Sequence, residues 1–122
     1  LVVNAMARAA MSTGTITVWA PNNWRSHVSV HDAARAYLYA IENYHLMRGM
    51  TYNVTAASFT MLELARTVAQ HCGNSPAIEV RESGDDARSY QSVSDKLTSM
   101  GFAYTDPALT DAIKGLRAVL TP

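Results

Sequence analysis

The sequence predicts a mixed α/β fold with about five helices and four or five short strands. Helical and extended hydrophobic patterns alternate along the whole chain, without a repeat or a linker. Helix-capping signals come before several of the helical patterns. Of the 122 residues, 48% are hydrophobic and 16% are charged, which is typical of a globular domain and not of a disordered chain. We therefore expect a single domain over residues 1–122.

The chain starts with a helix and a strand. Residues 1–13 carry an apolar stripe at helical spacing, and Gly14 follows as a C-terminal glycine. The stripe consists of Val2, Val3, Met6, Ala9 and Ala10. Residues 15–19 alternate with period two, so we expect a strand with Ile16 and Val18 on its inner face.

A second helix follows a turn at residues 21–23 and an extended stretch at residues 27–30. Asp32 stands where an N-cap belongs, and apolar residues at helical spacing continue to about Asn43. The stripe expected to face inward consists of Ala34, Tyr37, Leu38 and Ile41. Residues 44–50 are then predicted to form a loop.

A short strand at residues 51–55 comes before the third predicted helix. Thr60 and Glu63 form a capping box at the start of this helix, and Gly73 closes it. Its inward side chains are expected to be Met61, Leu64, Ala65, Val68 and Cys72. Residues 77–82 alternate again, which predicts another strand.

Two helices are predicted in the last third of the chain. A turn at residues 83–86 and an extended stretch at residues 88–93 come before them. Ser94 is expected to cap a short helix that stops at Gly101, and Asp106 is the expected N-cap of the last helix, with proline at its first position. The inward stripe of that helix consists of Leu109, Ile113, Leu116 and Leu120.

Charge and cysteine content narrow the classes of partner and compartment. Ten basic residues balance ten acidic ones, so we expect neither nucleic acid nor a membrane as a partner. Cys72 is the one cysteine, which excludes an internal disulfide and indicates a reducing, cytoplasmic setting. No apolar run approaches the roughly 18 residues of a membrane span. The first residues lack a start methionine and resemble the middle of a helix, so we expect a fragment.

The sequence predicts no catalytic residue, no cofactor site and no metal site in this chain. Its six glycines do not form a G-x-x-G-x-x-G loop, and no tyrosine is followed four residues later by lysine. His27, His31 and Asp32 lie close in sequence, but the segment between them is predicted as strand and turn, which does not give them a common helical face. Any ligand must therefore be bound by other side chains.

Two arginines are candidates for binding an anion. Arg25 and Arg88 each stand at a junction between a loop and an extended segment, where two guanidinium groups could clamp a diphosphate. In the alternative, Arg25 pairs with Asp32, and Arg88 pairs with Asp85 or Asp86. The residues alone favour this alternative.

Three further side chains could contact a ligand. Trp19 and Trp24 flank the first turn, where either could stack on a nucleobase or instead belong to the core or its rim. Asn4 lies near an apolar stripe, where it could bind a ligand or simply face water.

The segment Trp-Arg-Ser-His-Val-Ser-Val-His-Asp-Ala-Ala-Arg-Ala at residues 24–36 resembles a signature of extended short-chain dehydrogenases. That family shows an Arg, an extended stretch and a His-Val-x-Asp-Val-Ala-x-Ala pattern. Ser29 stands where the family usually has His, and Ala-Pro at 20 and 21 replaces its usual Gly. Further matches follow in the family's order along nearly the whole chain, at residues 1–4, 16–19, 52–54, 86–90, 93–97 and 100–102.

The resemblance implies that this chain is the C-terminal, nucleotide-sugar-binding part of an NAD(P)-dependent epimerase or dehydratase. The N-terminal Rossmann domain, with NAD(P) and the catalytic Tyr and Lys, would be absent. In the family, the positions of Arg25 and Arg88 usually contact the diphosphate, and the position of Asn4 often helps. Backbone around Val18 and Trp19 lies near the base. The chain would bind and orient a nucleotide-diphosphate sugar and would be inactive alone.

Two other hypotheses remain open. The chain could be a free-standing binding or assembly module derived from such an enzyme. Without the Rossmann half, apolar surfaces of the helix that follows Asp32 and the strand edge at residues 52–54 would be open, which predicts a homo-oligomer or the missing domain as partner. The third hypothesis is a reductase of the same family for a steroid or flavonoid, but such relatives tend to lack the paired arginines.

Overall fold

The computed structural model describes residues 2–81 and 88–120, which contain six helices and four short strands. The elements of the first half are α1 (Val2–Thr13), β1 (Thr15–Trp19), β2 (Trp24–His27), α2 (Val30–Glu42) and α3 (Tyr44–Met47). Those of the second half are β3 (Ala57–Thr60), α4 (Met61–Cys72), β4 (Ala77–Arg81), α5 (Asp95–Ser99) and α6 (Thr110–Leu120). The predicted mixed α/β fold class is confirmed.

The four strands form two separate pairs. β1 and β4 are parallel, with Ile16 opposite Ile78, and β2 and β3 are antiparallel, with Arg25 opposite Phe59. A pair of strands is marginally stable by itself in water. The helices must therefore supply most of the buried apolar surface.

The larger core lies between α1, α4, α6 and the inner face of β1. Ile16 and Val18 are fully buried there, as the period-two pattern predicts. The predicted stripes of these helices face this core, with two differences: Ala7 of α1 is buried although it was not predicted, and Ala9 is only partly buried. The buried members are Val3, Met6, Ala7, Ala10, Leu64, Ala65, Val68, Cys72, Leu109 and Ile113. The capping box at Thr60 and Glu63 is confirmed, and Gly73 ends α4 with a φ of 80°.

A smaller core joins α2 and α3 to α5 and the loop that follows it. Its buried members are Ala36, Met47, Leu97 and Phe102. The Phe102 ring meets Tyr39 and Tyr104 edge to face, with centroids 5.5 and 5.1 Å apart. The Tyr39 hydroxyl also donates a hydrogen bond to the Met100 carbonyl.

The prediction that Asp32 is an N-cap is wrong. Ser29 is the N-cap of α2, and its hydroxyl accepts a hydrogen bond from the Asp32 N–H at 3.1 Å. The Asp32 carboxylate is fully buried, and it accepts bonds from the Thr105 N–H and hydroxyl and from the Asp106 N–H at 2.8–3.1 Å. Arg35 completes the site with a 2.7 Å ion pair. Asp32 thus connects the first turn of α2 with the segment that leads to α6.

The predicted inward face of α2 is also wrong. Ala34, Tyr37, Leu38 and Ile41 are all exposed, whereas the buried side of the helix carries Asp32 and Ala36. Both sides of α2 are rich in apolar residues, so periodicity alone selected the side with the larger side chains.

The extended stretches and the loop of the middle region need three corrections, at residues 27–30, 44–47 and 51–55. Residues 27–30 are divided between the end of β2 and the start of α2, and Tyr44–Met47 is a short helix instead of a loop. Residues 51–55 are not a strand, because none of the described strands pairs with them, and β3 comes later. Residues 88–93 form no ladder, although they bond to β2.

The boundaries of the last elements shift as well. α6 starts at Thr110 instead of next to Asp106, but the Asp106 carboxylate still accepts bonds from the N–H groups of Asp111 and Ala112 at 3.2 and 2.9 Å. Ser94 is the N-cap residue of α5, as predicted, but its hydroxyl donates to the carbonyl of Thr55 at 2.8 Å and makes no capping bond to the helix. The predicted strand at 77–82 is confirmed up to Arg81, and the predicted turn at 83–86 lies outside the described residues.

Replacing Asp32 with Ala should lower the free energy of unfolding by about 3 kcal/mol, because one buried and two partly buried hydrogen bonds to a charged acceptor would be lost. Urea denaturation followed by circular dichroism measures this change. The matched control is Asp95→Ala at an exposed position of α5, which should change stability by about 0.5 kcal/mol or less. An equal effect of the two substitutions would contradict the role of Asp32.

The same carboxylate should make stability depend on acid pH. Burial raises the pKa of Asp32, but hydrogen bonds from Thr105 and Asp106 and the bond from Arg35 outweigh burial and lower the pKa from 3.8 to about 2. Its contribution is therefore complete above about pH 4 and is lost as the pH falls from 4 to 2. In Asp32→Asn, the free energy of unfolding should therefore depend less on pH between about 4 and 2 than in the wild-type chain.

Candidate functional site

The Arg25 side chain is held at the start of β2. Its Nη1 donates hydrogen bonds to the carbonyls of Trp24 and Arg88, at 2.7 and 2.6 Å. The guanidinium also lies 5.1 Å from the centroid of the Tyr90 ring, which is the geometry of a cation–π contact. Two backbone carbonyls and an aromatic face thus orient this guanidinium.

Residues 88–92 run beside β2 and bring Arg88 to Arg25. The Tyr90 N–H donates to the Trp24 carbonyl at 3.2 Å, and the Ser92 N–H donates to the Ser26 hydroxyl at 2.8 Å. The two arginines are therefore adjacent through the Arg88 backbone, and the Arg88 residue is exposed to water.

The structure tests one of the two alternative ion pairs that the sequence offered for Arg25 and Arg88. Asp32 is bonded to Arg35, Thr105 and Asp106 and is therefore not the partner expected for Arg25. The pairing of Arg88 with the aspartates at 85 and 86 falls outside the described residues.

The turn before Arg25 is bonded to the start of α4. The N–H groups of Met61 and Leu62 donate to the carbonyls of Asn23 and Pro21, at 3.0 and 3.1 Å. The Glu63 N–H donates to the Thr60 hydroxyl. The Thr60 N–H donates to the Glu63 carboxylate at 2.8 Å, so all four N–H groups that a helix leaves open at its start are satisfied by the protein. An anion bound near this turn would depend on the guanidinium groups and not on the end of α4.

Asn4 is an exposed residue of α1, and it lines a cavity of about 570 Å³ between α1, the β2–α2 connection and α6. His27, Ser29 and Asp111 supply further polar groups to this cavity. Arg25 does not line it. The side chains of a strand alternate between its two faces, so Arg25 and His27 share one face of β2. The structure therefore brings Asn4 to His27, on the side of β2 that Arg25 also occupies.

His27 is a site residue that the sequence suggested only as a metal ligand. Its Nε2 is buried and has no hydrogen-bond partner, and its ring lies 6.2 Å from that of Phe59. Burial lowers the pKa of His27, and the positive charge of Arg25 lowers it further. In the sequence, His27 stands two residues after Arg25 in an extended stretch. Because side chains two apart in a strand share a face, this spacing could have identified His27 as a site residue.

Val18 and Trp19 occupy different environments at the end of β1. The Val18 side chain is fully buried in the larger core, so only its backbone could face a ligand. Trp19 is 49% exposed, and the Arg81 guanidinium lies 5.6 Å from the centroid of its ring system. Trp24, on the other side of the turn, is half-buried.

The geometry does not favour metal binding or thiol chemistry within residues 2–81 and 88–120. No group of three or more His, Cys, Asp or Glu side chains in these ranges could hold a metal ion. The Cys72 thiol is buried, and burial raises its pKa, so it stays protonated and is a poor nucleophile. No helix in the described part of the chain could cross a membrane.

Protonation of His27 should destabilise the fold. Its folded-state pKa is lowered, so the unfolded chain binds more protons below the ordinary value of 6.5, and stability should decline as the pH falls below about 6.5. His27→Phe should remove this slope, as measured by thermal unfolding between pH 7.5 and 5. The control is exposed His45→Phe, which should leave the slope intact. The same slope in wild type and His27→Phe would contradict the assignment.

Comparison with known proteins gives a fold relationship. No protein-family model matches the sequence. The structure of RMD from Pseudomonas aeruginosa complexed with NADPH matches with a TM-score of 0.70 and 19% identity, over 99% of this chain and 43% of RMD. The PbgP3 protein from Burkholderia pseudomallei matches with a TM-score of 0.68 and 19% identity, over 98% of this chain and 40% of PbgP3. The chain therefore has the fold of about two fifths of each of these longer proteins.

Proposed function

We propose that this chain is the nucleotide-sugar-binding portion of an NAD(P)-dependent epimerase or dehydratase of the extended short-chain dehydrogenase type. Its role is to hold the diphosphate and the base of a UDP-sugar or a similar ligand. The observation that carries the proposal is the 2.6 Å hydrogen bond from the Arg25 guanidinium to the Arg88 carbonyl. Two arginines that are 63 residues apart in sequence thereby become neighbours at one end of β2.

A diphosphate suits this pair of arginines. Guanidinium groups bind phosphate oxygens through two parallel N–H bonds, and such charge-assisted bonds are about twice as strong as neutral ones. The carbonyls of Trp24 and Arg88 accept hydrogen bonds from Nη1 of Arg25, and the Tyr90 ring lies 5.1 Å from the guanidinium, so the group is held in a fixed orientation. Orientation before binding reduces the entropy that the ligand must otherwise offset.

The rest of the ligand would lie along the neighbouring elements. The half-exposed Trp19 ring could stack on the base, next to the backbone of Val18. The Asn4 amide could hydrogen-bond to the ligand from the cavity that it shares with His27. His27 has a lowered pKa, so it is neutral at pH 7 and adds no positive charge to the site.

The reaction would require parts that are not among these residues. NADPH is bound in the RMD structure, of which this chain matches 43%, and in our proposal the cofactor and the catalytic Tyr and Lys belong to a further Rossmann domain. That cofactor would supply hydride transfer. This chain would bind and orient the sugar, and it would be inactive alone, in a cytoplasmic setting.

A second candidate function is a free-standing, self-associating binding or assembly module. The observation that favours it is the exposed apolar side of α2, which includes Tyr37, Leu38 and Ile41. The two candidates differ in what contacts this side of α2: a further Rossmann domain would cover it in the first candidate, whereas a second copy or another protein would cover it in the second.

Isothermal titration of the chain with UDP, GDP and CDP tests the proposed function. Arg25→Ala and Arg88→Ala should each weaken the best of these ligands by about 10- to 150-fold, which corresponds to about 1.5–3 kcal/mol for a charge-assisted bond. The control is Arg48→Ala, which removes an exposed arginine outside the site and should leave affinity unchanged within about twofold.

Two results would contradict the diphosphate assignment. One is an affinity that neither substitution at Arg25 or Arg88 changes. The other is binding of a steroid or flavonoid with no binding of any nucleoside diphosphate, which would favour the reductase hypothesis instead.

A further inference from the structure

The outer face of the β1–β4 pair carries an aromatic ring and two opposite charges at one end. Glu79 and Arg81 are two residues apart on β4, so their side chains share a face, and Trp19 stands opposite Arg81 in the parallel register. The other face of β1 is the inner one, because Ile16 and Val18 are fully buried. Trp19, Glu79 and Arg81 therefore lie together on the side that faces water, and we call them the β1–β4 cluster.

The contacts within the β1–β4 cluster are weak. The Arg81 guanidinium lies 5.6 Å from the centroid of the Trp19 ring system, and its Nη2 lies 3.4 Å from Oε2 of Glu79. The side chains of Arg81 and Glu79 are 57% and 54% exposed, and an exposed ion pair at this distance adds little to stability. Within residues 2–81 and 88–120, Arg81 is the one polar contact of the Glu79 carboxylate. A ligand can therefore rearrange these side chains at little cost.

The β1–β4 cluster is close to the proposed diphosphate site. Because β1 and β4 are parallel, their C-terminal ends lie together, and Arg25 follows Trp19 by six residues. Arg88 follows Arg81 by seven. A backbone hydrogen bond of 3.0 Å closes the turn at residues 20–23, and such a turn keeps its first and last Cα atoms within about 7 Å. The end of β1 and the start of β2 are therefore within about 15 Å of each other, which is comparable to the length of a nucleoside diphosphate.

We infer that the β1–β4 cluster binds the base of the nucleotide and that this base is guanine. The base stacks on the Trp19 ring in place of the Arg81 guanidinium, since base stacking on an aromatic ring is stronger than a cation–π contact at an exposed site. The Glu79 carboxylate then accepts hydrogen bonds from N1–H and the N2 amino group of guanine, and Arg81 donates to O6 and N7. This inference rests on the proposed function, of which it specifies the base.

Guanine uses the two charges more fully than the other bases do. It offers two adjacent donors to a carboxylate and two acceptors to a guanidinium, which makes two bidentate pairs. Cytosine offers one amino group and two acceptors, and adenine offers one amino group and one neighbouring ring nitrogen. Uracil offers a single donor between two acceptors, so one acceptor faces the carboxylate. Binding should therefore be strongest for GDP, weaker for CDP and weakest for UDP.

Isothermal titration of the 122-residue chain with GDP, CDP and UDP tests the identity of the base. GDP should bind about 10-fold or more tightly than UDP, because a bidentate pair discriminates between bases by about that factor. Inosine diphosphate is GDP without the N2 amino group, so it loses one hydrogen bond to Glu79 and should bind roughly 5-fold less tightly than GDP. Equal affinities for GDP and UDP would overturn the inference.

Glu79→Gln tests the base contact separately from the diphosphate contact. An amide has one acceptor and directs its NH₂ group at a donor of guanine, so the ratio of GDP affinity to UDP affinity should fall by about 10-fold. The ratio is the proper measure, because the loss of a negative charge near the diphosphate affects both ligands alike. GDP and inosine diphosphate should then bind within about twofold of each other.

The matched control is Glu42→Gln, which makes the same change at an exposed glutamate of α2, outside the site. It should leave the GDP-to-UDP ratio unchanged within about twofold. Both glutamates are exposed, so circular dichroism should show an unchanged fold in both variants. An unchanged ratio in Glu79→Gln, or an equal fall in Glu42→Gln, would overturn the assignment of guanine.

Arg25→Ala and Arg88→Ala distinguish a failure of this inference from a failure of the proposed function. Each should weaken GDP and UDP by the same factor and leave their ratio unchanged, because the two arginines contact only the diphosphate. Weaker binding of both ligands without a GDP preference would overturn guanine alone. Unchanged binding of both ligands would contradict the diphosphate site, and a chain that binds no nucleoside diphosphate would overturn both.

Discussion

The buried carboxylate of Asp32 is the constraint on which the arrangement of the molecule depends. It lies in the first turn of α2, and it accepts hydrogen bonds from Thr105 and Asp106, just before α6. α6 belongs to the larger core, whereas α2 belongs to the smaller one. One side chain therefore connects the two cores. A buried carboxylate tolerates little displacement, because each hydrogen bond that it loses leaves more of the cost of burying its charge unbalanced. This connection also fixes the β2–α2 segment that lines the cavity with Asn4.

Local signals in the sequence predicted local structure well. The capping box at Thr60 and Glu63, the left-handed glycine at Gly73 and the alternation in β1 involve residues that are close in sequence. The role of Asp32 could not be predicted in this way, because its partners lie 73 and 74 residues further along the chain. A carboxylate near a helix start looks the same in the sequence whether it caps the helix or crosses to another element.

The errors at α2 and at residues 51–55 have one physical origin. Periodicity reports which residues could be buried, but it does not report which surface the fold supplies to bury them. α2 has apolar residues on both sides, and the fold buries the side with Asp32 and Ala36. Residues 51–55 alternate like a strand, but they have no strand partner within the described ranges. Instead, Thr55 is tied to Tyr104 and Ser92 by hydrogen bonds.

The candidate site was predicted by the family resemblance more than by the chemistry of its residues, which favoured separate ion pairs for Arg25 and Arg88. The bond that joins them uses a backbone carbonyl, which leaves no mark on the sequence. A crystal structure of the chain with a nucleoside diphosphate tests this site most directly. The account predicts phosphate oxygens at about 2.7–2.9 Å from both guanidinium groups. A diphosphate bound elsewhere, or the two guanidinium groups directed to opposite sides of the molecule, would contradict it.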